Sequence, residues 1–321
     1  MISVCTLAHG REGHLRNLVR GLNESRMSPG ELVVAVLQDQ PYDLPETGFP
    51  VRQIMLRETM LQDGGLSLSA ARNRAAAEAA GEWLVFLDVD CIPHPELVGD
   101  YAAALRDNDA LLMGEVGYLP SGAPLDTLDF AVLDRLAVRH SERPGPPAGP
   151  IGPCRDYRCF WSLNFAMSAA LFGAVGGFDE GYRGYGGEDT DFGRTCAEQG
   201  VPLFWLRGAR AYHQYHPHHM PPVHHLDSVI RNAEYFRSKW GEPTMQHWLR
   251  AFRLMGLAEP GPSGWQRVRS TQEADLALTR QQQHQPYASS AAVLQQLEAE
   301  AEAEAGAEAR ARSDLADTAA V

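Results

Sequence analysis

The segment Glu82-Trp-Leu-Val-Phe-Leu-Asp-Val-Asp-Cys91 decides the fold, because an apolar run leads directly into two carboxylates, Asp88 and Asp90. A short run of bulky apolar residues predicts a buried strand, with the two acids at its carboxyl end. In open α/β sheets the ligand lies beyond the carboxyl ends of the strands, and carboxylates there suit a divalent cation that also contacts phosphate oxygens. The segment therefore predicts a site for a metal-bound nucleotide. The alternative is an ordinary turn at the end of a strand.

Strand-like and helix-like patterns alternate on both sides of this segment, which predicts an α/β fold with a mainly parallel sheet flanked by helices. The predicted strands are Ile2 to Ala8, Glu31 to Gln38, Val51 to Leu56, Trp83 to Leu87, Leu111 to Leu119, Phe160 to Met167 and Leu203 to Leu206. The predicted helices are Gly13 to Arg26, Ser69 to Ala80, Pro95 to Arg106, Glu188 to Gln199, Leu226 to Trp240 and Met245 to Gly256.

We expect three parts along the chain. Residues 1–225 form the α/β domain, with a nucleotide-binding half at 1–120, a flexible Pro/Gly loop at 143–153 and a second half at 154–225. Residues 226–284 form a helical extension. The Ala/Glu-rich residues 285–321 have little to bury and form a disordered tail or a frayed helix.

Composition excludes several classes of protein. Apolar residues make up 44% of the 321 positions, which is enough for a large core. The net charge of −13 argues against a nucleic-acid partner. Five cysteines without paired spacing indicate neither a disulfide framework nor a zinc ribbon. The sequence has no transmembrane-length apolar run and no signal-peptide pattern at Met1, so a cytoplasmic protein is expected.

A second dense motif is Gly176-Gly-Phe-Asp-Glu-Gly-Tyr-Arg-Gly-Tyr-Gly-Gly-Glu-Asp-Thr-Asp-Phe192. Its glycines let the backbone approach a ligand closely, and Glu188 and Asp189 then fall in the first turn of a helix. Acids in a first turn are common as helix caps, so catalysis and capping both remain open at this point.

The segment 211–225 holds six of the twelve histidines, and one of them could complete a metal site together with the strand-end acids. His213 directly follows an apolar strand-like run and is the first candidate, with His216 as the second. A zinc cage is disfavoured, because the prolines in this segment prevent a helix and no cysteine belongs to the cluster.

Weaker candidates follow from their positions near predicted strand ends and helix starts. Asp39 could accept a hydrogen bond from a nucleotide base, and Arg72 and Asn73 could reach a diphosphate. Aromatic faces pack on sugar rings, so an acceptor pocket could be lined by Trp161, Asn164 and Tyr185.

Taken together, these motifs resemble glycosyltransferase family 2 with the GT-A architecture. The resemblance rests on the opening strand, Asp39, the block from Leu68 to Cys91, and the Gly-Tyr-Gly-Gly-Glu-Asp run, which is similar to a galactosyltransferase-type motif. Two departures are Tyr185 where the family usually has Trp, and Ala8-His9-Gly10 at the end of the first strand.

The resemblance implies transfer of a hexose, with inversion, from a nucleotide-diphosphate sugar, most often UDP-linked, to a hydroxyl of a carbohydrate or another acceptor. It implies Mn²⁺ or Mg²⁺ at the diphosphate. Carried over by motif, Asp90 is the main metal carboxylate, Asp88 contacts ribose or metal, and His213 is a metal ligand. Asp39 lies near the base, with Arg72 and Asn73 on the donor. Asp189 is the catalytic base, while Glu188 and Gly187 hold the acceptor.

Two other functions and one other partner stay open from sequence. A nucleotidyltransferase would also use strand-end aspartates, although no Gly-rich triphosphate loop followed by a basic residue is evident near the first strand. A non-catalytic sugar-binding protein is the other alternative. The aromatic residues of the helical extension predict internal packing or peripheral contact with a membrane: Tyr235, Phe236, Trp240, Trp248 and Phe252.

Overall fold

A computed structural model describes residues 1–56, 66–140, 142–280, 294–303 and 306. The strands are β1 (Ile2–Ala8), β2 (Glu31–Val36), β3 (Val51–Met55), β4 (Trp83–Leu87), β5 (Cys91–Pro93), β6 (Leu111–Met113), β7 (Val116–Tyr118), β8 (Val138–Arg139), β9 (Ile151–Pro153), β10 (Asn164–Ser168), β11 (Leu203–Leu206), β12 (Ala211–His213), β13 (Ala258–Gly261) and β14 (Gly264–Arg267). The helices are α1 (Glu12–Asn23), α2 (Leu68–Glu78), α3 (Leu97–Asp107), α4 (Phe130–Leu136), α5 (Ala169–Val175), α6 (Glu188–Glu198), α7 (Leu226–Trp240), α8 (Gln246–Leu254) and α9 (Glu273–Thr279).

The central sheet has the strand order β3-β2-β1-β4-β10-β6-β11-β9. Strands β3, β2, β1 and β4 are parallel, β10 runs antiparallel between β4 and β6, and β9 runs antiparallel at one edge. The predicted α/β fold with a mainly parallel sheet is confirmed. Since β1, β2 and β4 are parallel, the loops after their carboxyl ends meet at one edge of the sheet.

Both faces of this sheet are covered, which explains why its strands read as continuous apolar runs. In β4, Val85 and Leu87 pack into one hydrophobic cluster while Leu84 and Phe86 pack into another. Phe86 stacks on Phe165 of β10 with a ring-centroid distance of 4.6 Å. The period-2 alternation of a strand therefore divides one apolar run between two cores.

The predicted strand from Leu111 to Leu119 is wrong as a single element, because the chain changes sheets within it. Strand β6 lies in the central sheet, whereas β7 belongs to a second sheet of order β5-β12-β7-β8. Gly114 lies between them. A Cβ there would collide with the Ala209 carbonyl oxygen and lie 2.6 Å from the Tyr101 hydroxyl, so the crossing requires glycine.

The Pro/Gly segment 143–153, predicted as a flexible loop, is a loop only in its middle part. Ile151–Pro153 forms β9, whose residues pair with Phe204 to Leu206 of β11. A proline is tolerated there because β9 is an edge strand with one side free of ladder bonds. At the other end of the segment, Arg143 is buried, with 7% of its surface exposed.

The C-terminal extension packs around its own apolar cluster, which includes Val229, Leu249, Phe252 and Leu257. Besides the predicted helices it contains the β13-β14 hairpin, which the helical prediction omitted. Of the tail 285–321, residues 294–303 are helical, and Arg250 of α8 forms an ion pair with Glu298 at 2.7 Å. The rest of the tail lies outside the described residues.

Four aromatic residues of the extension make contacts inside the protein. Phe236 and Phe252 are buried, Trp240 donates to Asp191 at 2.7 Å, and Tyr235 donates to Asp179 at 3.2 Å. Within the described ranges, no helix is both long and apolar enough to cross a membrane.

Candidate active site

A cavity of about 1420 Å³ opens beyond the carboxyl ends of β1, β2 and β4. Its lining includes Asp88 and Asp90 from the turn after β4, and Glu188 and Asp189 from the start of α6. Small-molecule pockets usually measure about 300 to 1,000 Å³, so this one has room for two ligands side by side.

Three side chains converge at one end of the cavity: Asp90, His213 and His216. One potential ligand atom from each lies within 4.8 Å of the other two. His213 Nε2 is 3.6 Å from Asp90 Oδ1, and His216 Nε2 is 3.3 Å from Asp90 Oδ2. We call this group the Asp–His–His triad.

Strand pairing brings the triad together across more than a hundred residues of sequence. Strand β12 pairs antiparallel with β5, with His213 opposite Cys91, so the histidine lies beside Asp90. Gln214 then donates from its backbone N–H to the Asp90 carbonyl at 2.7 Å. Its buried side chain accepts from Asn17 of α1 at 2.8 Å, which fixes the loop that carries His216.

The electrostatics at Asp90 favour a cation. Burial acts to raise the pKa of Asp90, but the imidazoles of His213 and His216 and the Arg11 guanidinium outweigh it, and the pKa lies below its ordinary value. Burial also lowers the pKa of His213 to about 4, so at pH 7 this imidazole is neutral and Arg11 supplies the lasting positive charge. Arg11 donates to Asp90 Oδ2.

The triad fits a divalent metal ion by its chemistry. A carboxylate and neutral imidazoles are both ligands for first-row transition ions, whereas Mg²⁺ prefers oxygen ligands alone. Asp88 does not join the group. This donor set therefore favours Mn²⁺ over Mg²⁺.

Elsewhere in the cavity lining, the buried guanidinium of Arg72 faces three carboxylates. Arg72 Nη2 lies 3.3 Å from Asp88 Oδ1, and Nη1 lies 3.6 Å from Glu188 Oε1 and 3.9 Å from Asp189 Oδ1. Arg72 thus joins the strand-end turn to the start of α6. One positive charge against three acids leaves the group negative in total.

Two of these acids hold protons more tightly than usual. Burial raises the pKa of Glu188 to about 7, with Asp189 adding to the shift and Arg72 opposing it. Burial likewise raises the pKa of Asp88 to about 6, again against the effect of Arg72. Asp189 is the more accessible of the helix-start pair, since 29% of its side chain is exposed against 8% for Glu188.

The loop before α6 depends on its glycines. Gly186 and Gly187 have φ of +93°, a region that residues with a Cβ rarely adopt. A Cβ on Gly186 would lie 2.9 Å from Met245 Sδ and 3.3 Å from a ring atom of Trp248. The loop that presents Glu188 and Asp189 therefore packs directly on the C-terminal extension.

Asn232 of α7 holds this loop in place. Its side chain is fully buried, and its Nδ2 donates to the carbonyls of Arg183 at 3.0 Å, Tyr185 at 3.3 Å and Gly186 at 2.8 Å. Its Oδ1 accepts from the Arg183 N–H at 3.3 Å. One side chain satisfies four backbone groups of a glycine-rich loop.

An aromatic wall formed by Tyr185, His225 and Trp248 borders the cavity beside this loop. Tyr185 stacks on His225 at 4.8 Å and on Trp248 at 5.8 Å between ring centroids, and 37% of Tyr185 is exposed. Such a half-exposed aromatic surface suits the C–H face of a sugar or another ring.

The structure brings most of the predicted residues to the cavity. The lining includes Arg72, Asp88, Asp90, Trp161, Tyr185, Gly187, Glu188, Asp189 and His213.

Three predicted residues lie elsewhere. Asp39 is exposed, outside the cavity lining, whereas nearby Leu37 lines it. Asn73 donates to the Phe178 carbonyl at 2.8 Å and accepts from its N–H at 2.8 Å. Asn164 is buried among Tyr101 and the carbonyls of Glu115 and Ala209, so it supports the fold behind the site.

Sequence reasoning missed Arg11, Asn232, His225 and Trp248. The first two interact with residues far away along the chain, and no local pattern marks them. Trp248 was assigned to internal packing. Its place next to the glycine loop follows only from the position of α8.

Two family models match the chain. The model described as glycosyl transferase family 2 matches residues 3–126, and the model described as N-terminal domain of galactosyltransferase matches residues 149–219. The first match contains the Asp88/Asp90 segment, and the second contains Glu188, Asp189 and His213. Residues 226–284 lie outside both.

Among curated proteins, the chain is similar to two validoxylamine A glucosyltransferases. It is 35% identical over 204 residues to the one from Streptomyces hygroscopicus subsp. jinggangensis (strain 5008), covering 58% of this chain and 48% of the relative. It is 25% identical over 260 residues to the one from subsp. limoneus, covering 74% and 56%. The chain thus spans about half the length of these relatives.

Among solved structures, the crystal structure of S. aureus TarS 1-349 in complex with UDP aligns with a TM-score of 0.50 at 15% identity. The alignment covers 78% of this chain and 68% of that one. At this identity the likeness shows the fold alone, and the predicted GT-A architecture is confirmed.

Replacing Asn232 with Ala is expected to loosen the loop at 183–187, because four hydrogen bonds between this buried side chain and part-buried backbone groups are lost. Removing one partner of a buried hydrogen bond costs about 1–3 kcal/mol, so the free energy of unfolding should fall by at least that amount. Urea denaturation and amide hydrogen exchange of this loop would measure both effects.

Ser238→Ala is the matched control, since Ser238 lies on the same helix and donates only to the Tyr235 carbonyl of that helix. Unchanged exchange at 183–187 in the Asn232 variant would mean that the loop is held by other contacts.

Proposed function

We propose that this chain, which the model of glycosyl transferase family 2 matches over residues 3–126, transfers a hexose, with inversion, from a UDP-linked or related nucleotide-diphosphate sugar to a hydroxyl acceptor. One observation carries the proposal: the Asp–His–His triad and the Glu188/Asp189 pair line the same cavity, and Arg72 contacts both Asp88, two residues before Asp90, and Glu188. A donor lying between them would present its diphosphate to one group and its anomeric carbon to the other.

Two comparisons support the choice of donor. The curated relatives are named glucosyltransferases, which favours a hexose. The TarS structure holds UDP in the same fold, which favours a uridine nucleotide.

The metal ligands we propose are Asp90, His213 and His216. A divalent cation bound there supplies positive charge where negative charge grows on the departing diphosphate. The protein's own contribution is to hold the carboxylate ionised and His213 neutral at pH 7. Arg11 adds a permanent positive charge at the same carboxylate.

We assign Asp189 as the general base. Its Oδ2 accepts from the Ser162 N–H at 3.1 Å, which fixes the orientation of the carboxylate. It is also the more exposed acid of the pair. Glu188, with a pKa raised to about 7, can both donate to and accept from an acceptor hydroxyl near neutral pH, so we assign it to acceptor binding.

The acceptor lies in this proposal against the aromatic wall of Tyr185, His225 and Trp248, which borders the loop that carries Glu188 and Asp189. A carbohydrate or another hydroxylated ring has both an apolar face, which can pack on the aromatic wall, and hydroxyl groups, which can reach the two acids. The C-terminal extension would then determine which acceptor is used.

Asp90→Asn is expected to remove the rise in Tm that Mn²⁺ gives the wild-type protein, because ligand binding stabilises only the folded state. Transfer activity should fall about 100-fold or more. Thermal unfolding with and without Mn²⁺ measures the first effect. Asp107→Asn is the control, because Asp107 belongs to an exposed Asp-x-Asp pair outside the cavity lining. Equal Mn²⁺ stabilisation of both variants would contradict the site.

Asp189→Asn is expected to lower kcat by about 10²- to 10⁴-fold, the usual contribution of a general base, while the affinity for UDP is unchanged. Glu188→Gln should instead act mainly on the acceptor KM. Steady-state kinetics of both variants would separate the roles. A large loss of kcat in Glu188→Gln together with normal turnover in Asp189→Asn would reverse the assignment.

Trp248→Ala is expected to raise the acceptor KM about tenfold with little change in the donor KM, because one stacking face is lost. Trp265→Ala is the control for general loosening of the extension. Trp265 packs against the same apolar cluster as Trp248, but it does not line the cavity. Equal effects of the two substitutions on the acceptor KM would show that Trp248 serves packing alone.

A further inference from the structure

Arg143 is a second buried arginine of the cavity lining, and its surroundings differ from those of Arg72. Its guanidinium carbon lies 4.9 Å from the ring centroid of Trp161 and 4.9 Å from that of Trp205. The side chain is therefore stacked between two indole rings, with 7% of the residue exposed.

Among the described residues, no acid pairs with Arg143, and its Nη1 has no hydrogen-bond partner. The ionisable groups that act on it are phenols and thiols, namely Tyr118, Cys159, Tyr101 and Cys154. Burial lowers the pKa of Arg143, yet a guanidinium remains charged in a protein. Cation–π contacts offset only part of the cost of burying a charge, and the described residues supply no anionic partner for Arg143.

Arg143 shares a continuous run of rings with the metal triad. Trp161 meets His140 edge to face at 5.0 Å, His140 lies 5.5 Å from Tyr118, and Tyr118 stacks on His213 at 4.7 Å between centroids. Tyr118, His140 and Trp161 all line the cavity. This run of cavity-lining rings links Arg143 to the triad.

We propose that Arg143 binds a phosphate oxyanion of the nucleotide donor, an assignment that rests on the proposed function. A guanidinium presents two parallel N–H groups that match the oxygens of a phosphate. An anionic group on the acceptor is the other possible source of the oxyanion. The loop that we assign to the acceptor, however, already leads into Glu188 and Asp189, whose negative charge would repel a second anion.

The test compares Arg143→Met with the wild-type protein by titration with UDP, uridine and inorganic pyrophosphate, with and without Mn²⁺, following tryptophan fluorescence and Tm. Affinity for UDP and for pyrophosphate should fall about tenfold to hundredfold, the range expected for a lost charged hydrogen bond, while uridine binding is unchanged. Arg207→Met is the matched control, since exposed Arg207 binds the Pro147 carbonyl of the same segment. The Arg207→Met variant should bind UDP, uridine and pyrophosphate with the affinity of the wild type.

Unchanged affinity for both UDP and pyrophosphate in Arg143→Met would overturn the proposal, and a raised acceptor KM in that variant would assign the arginine to the acceptor instead. If the Met variant does not fold, Arg143→Lys replaces it. Lysine keeps the positive charge but cannot make the bidentate hydrogen bond, so pyrophosphate should bind measurably more weakly. Pyrophosphate affinity equal to that of the wild type would again overturn the proposal.

The two proposals can fail separately. If the wild-type protein binds pyrophosphate through Arg143 but transfers hexose from no UDP-sugar, the proposed function is wrong and the oxyanion site stands. If Arg143→Met binds and uses a UDP-hexose like the wild type, the oxyanion site is wrong and the function stands.

Discussion

The buried guanidinium of Arg72 is the interaction on which the site depends. It lies between Asp88, at the end of β4, and the pair Glu188 and Asp189, at the start of α6. Without a positive charge there, three acids in a buried place would repel one another, and even beside Arg72 burial and the charge of Asp189 raise the pKa of Glu188 to about 7. Arg72 therefore allows two acidic motifs, far apart in sequence, to face one cavity.

The rest of the site is built from long-range contacts around that arrangement. The pairing of β5 with β12 brings His213 to Asp90, and Gln214 fixes the following loop to α1. On the other side, Asn232 of the C-terminal extension holds the glycine loop before α6. The extension lies outside both family matches, yet it borders the cavity through the aromatic wall. In our proposal the part of the chain that the family models match supplies the chemistry, and the extension supplies the surface for the acceptor.

Local sequence patterns predicted many of the strands and helices. They did not predict features that depend on contacts between residues far apart in the chain. Strands Ile2–Ala8, Trp83–Leu87 and Leu203–Leu206 follow directly from short apolar runs, because burial on both faces leaves a continuous signal. The sequence did not predict the split between β6 and β7. A glycine at which the chain passes from one sheet to another leaves no periodic pattern of apolar residues. Asn73 and Asn164 have the right residue type near the right motif, but their amides bind neighbouring groups of the fold. A residue type and a position near a strand end do not determine which way a side chain points.

The central claim is that the metal ligands and the catalytic pair face one donor from opposite ends of the cavity. A crystal structure with Mn²⁺ and UDP, with the metal located by its anomalous scattering, tests this most directly. We expect the metal peak between Asp90, His213 and His216, with the diphosphate on it and its terminal phosphate directed toward Asp189. A metal peak away from the triad, or a diphosphate directed away from Asp189, would contradict the account.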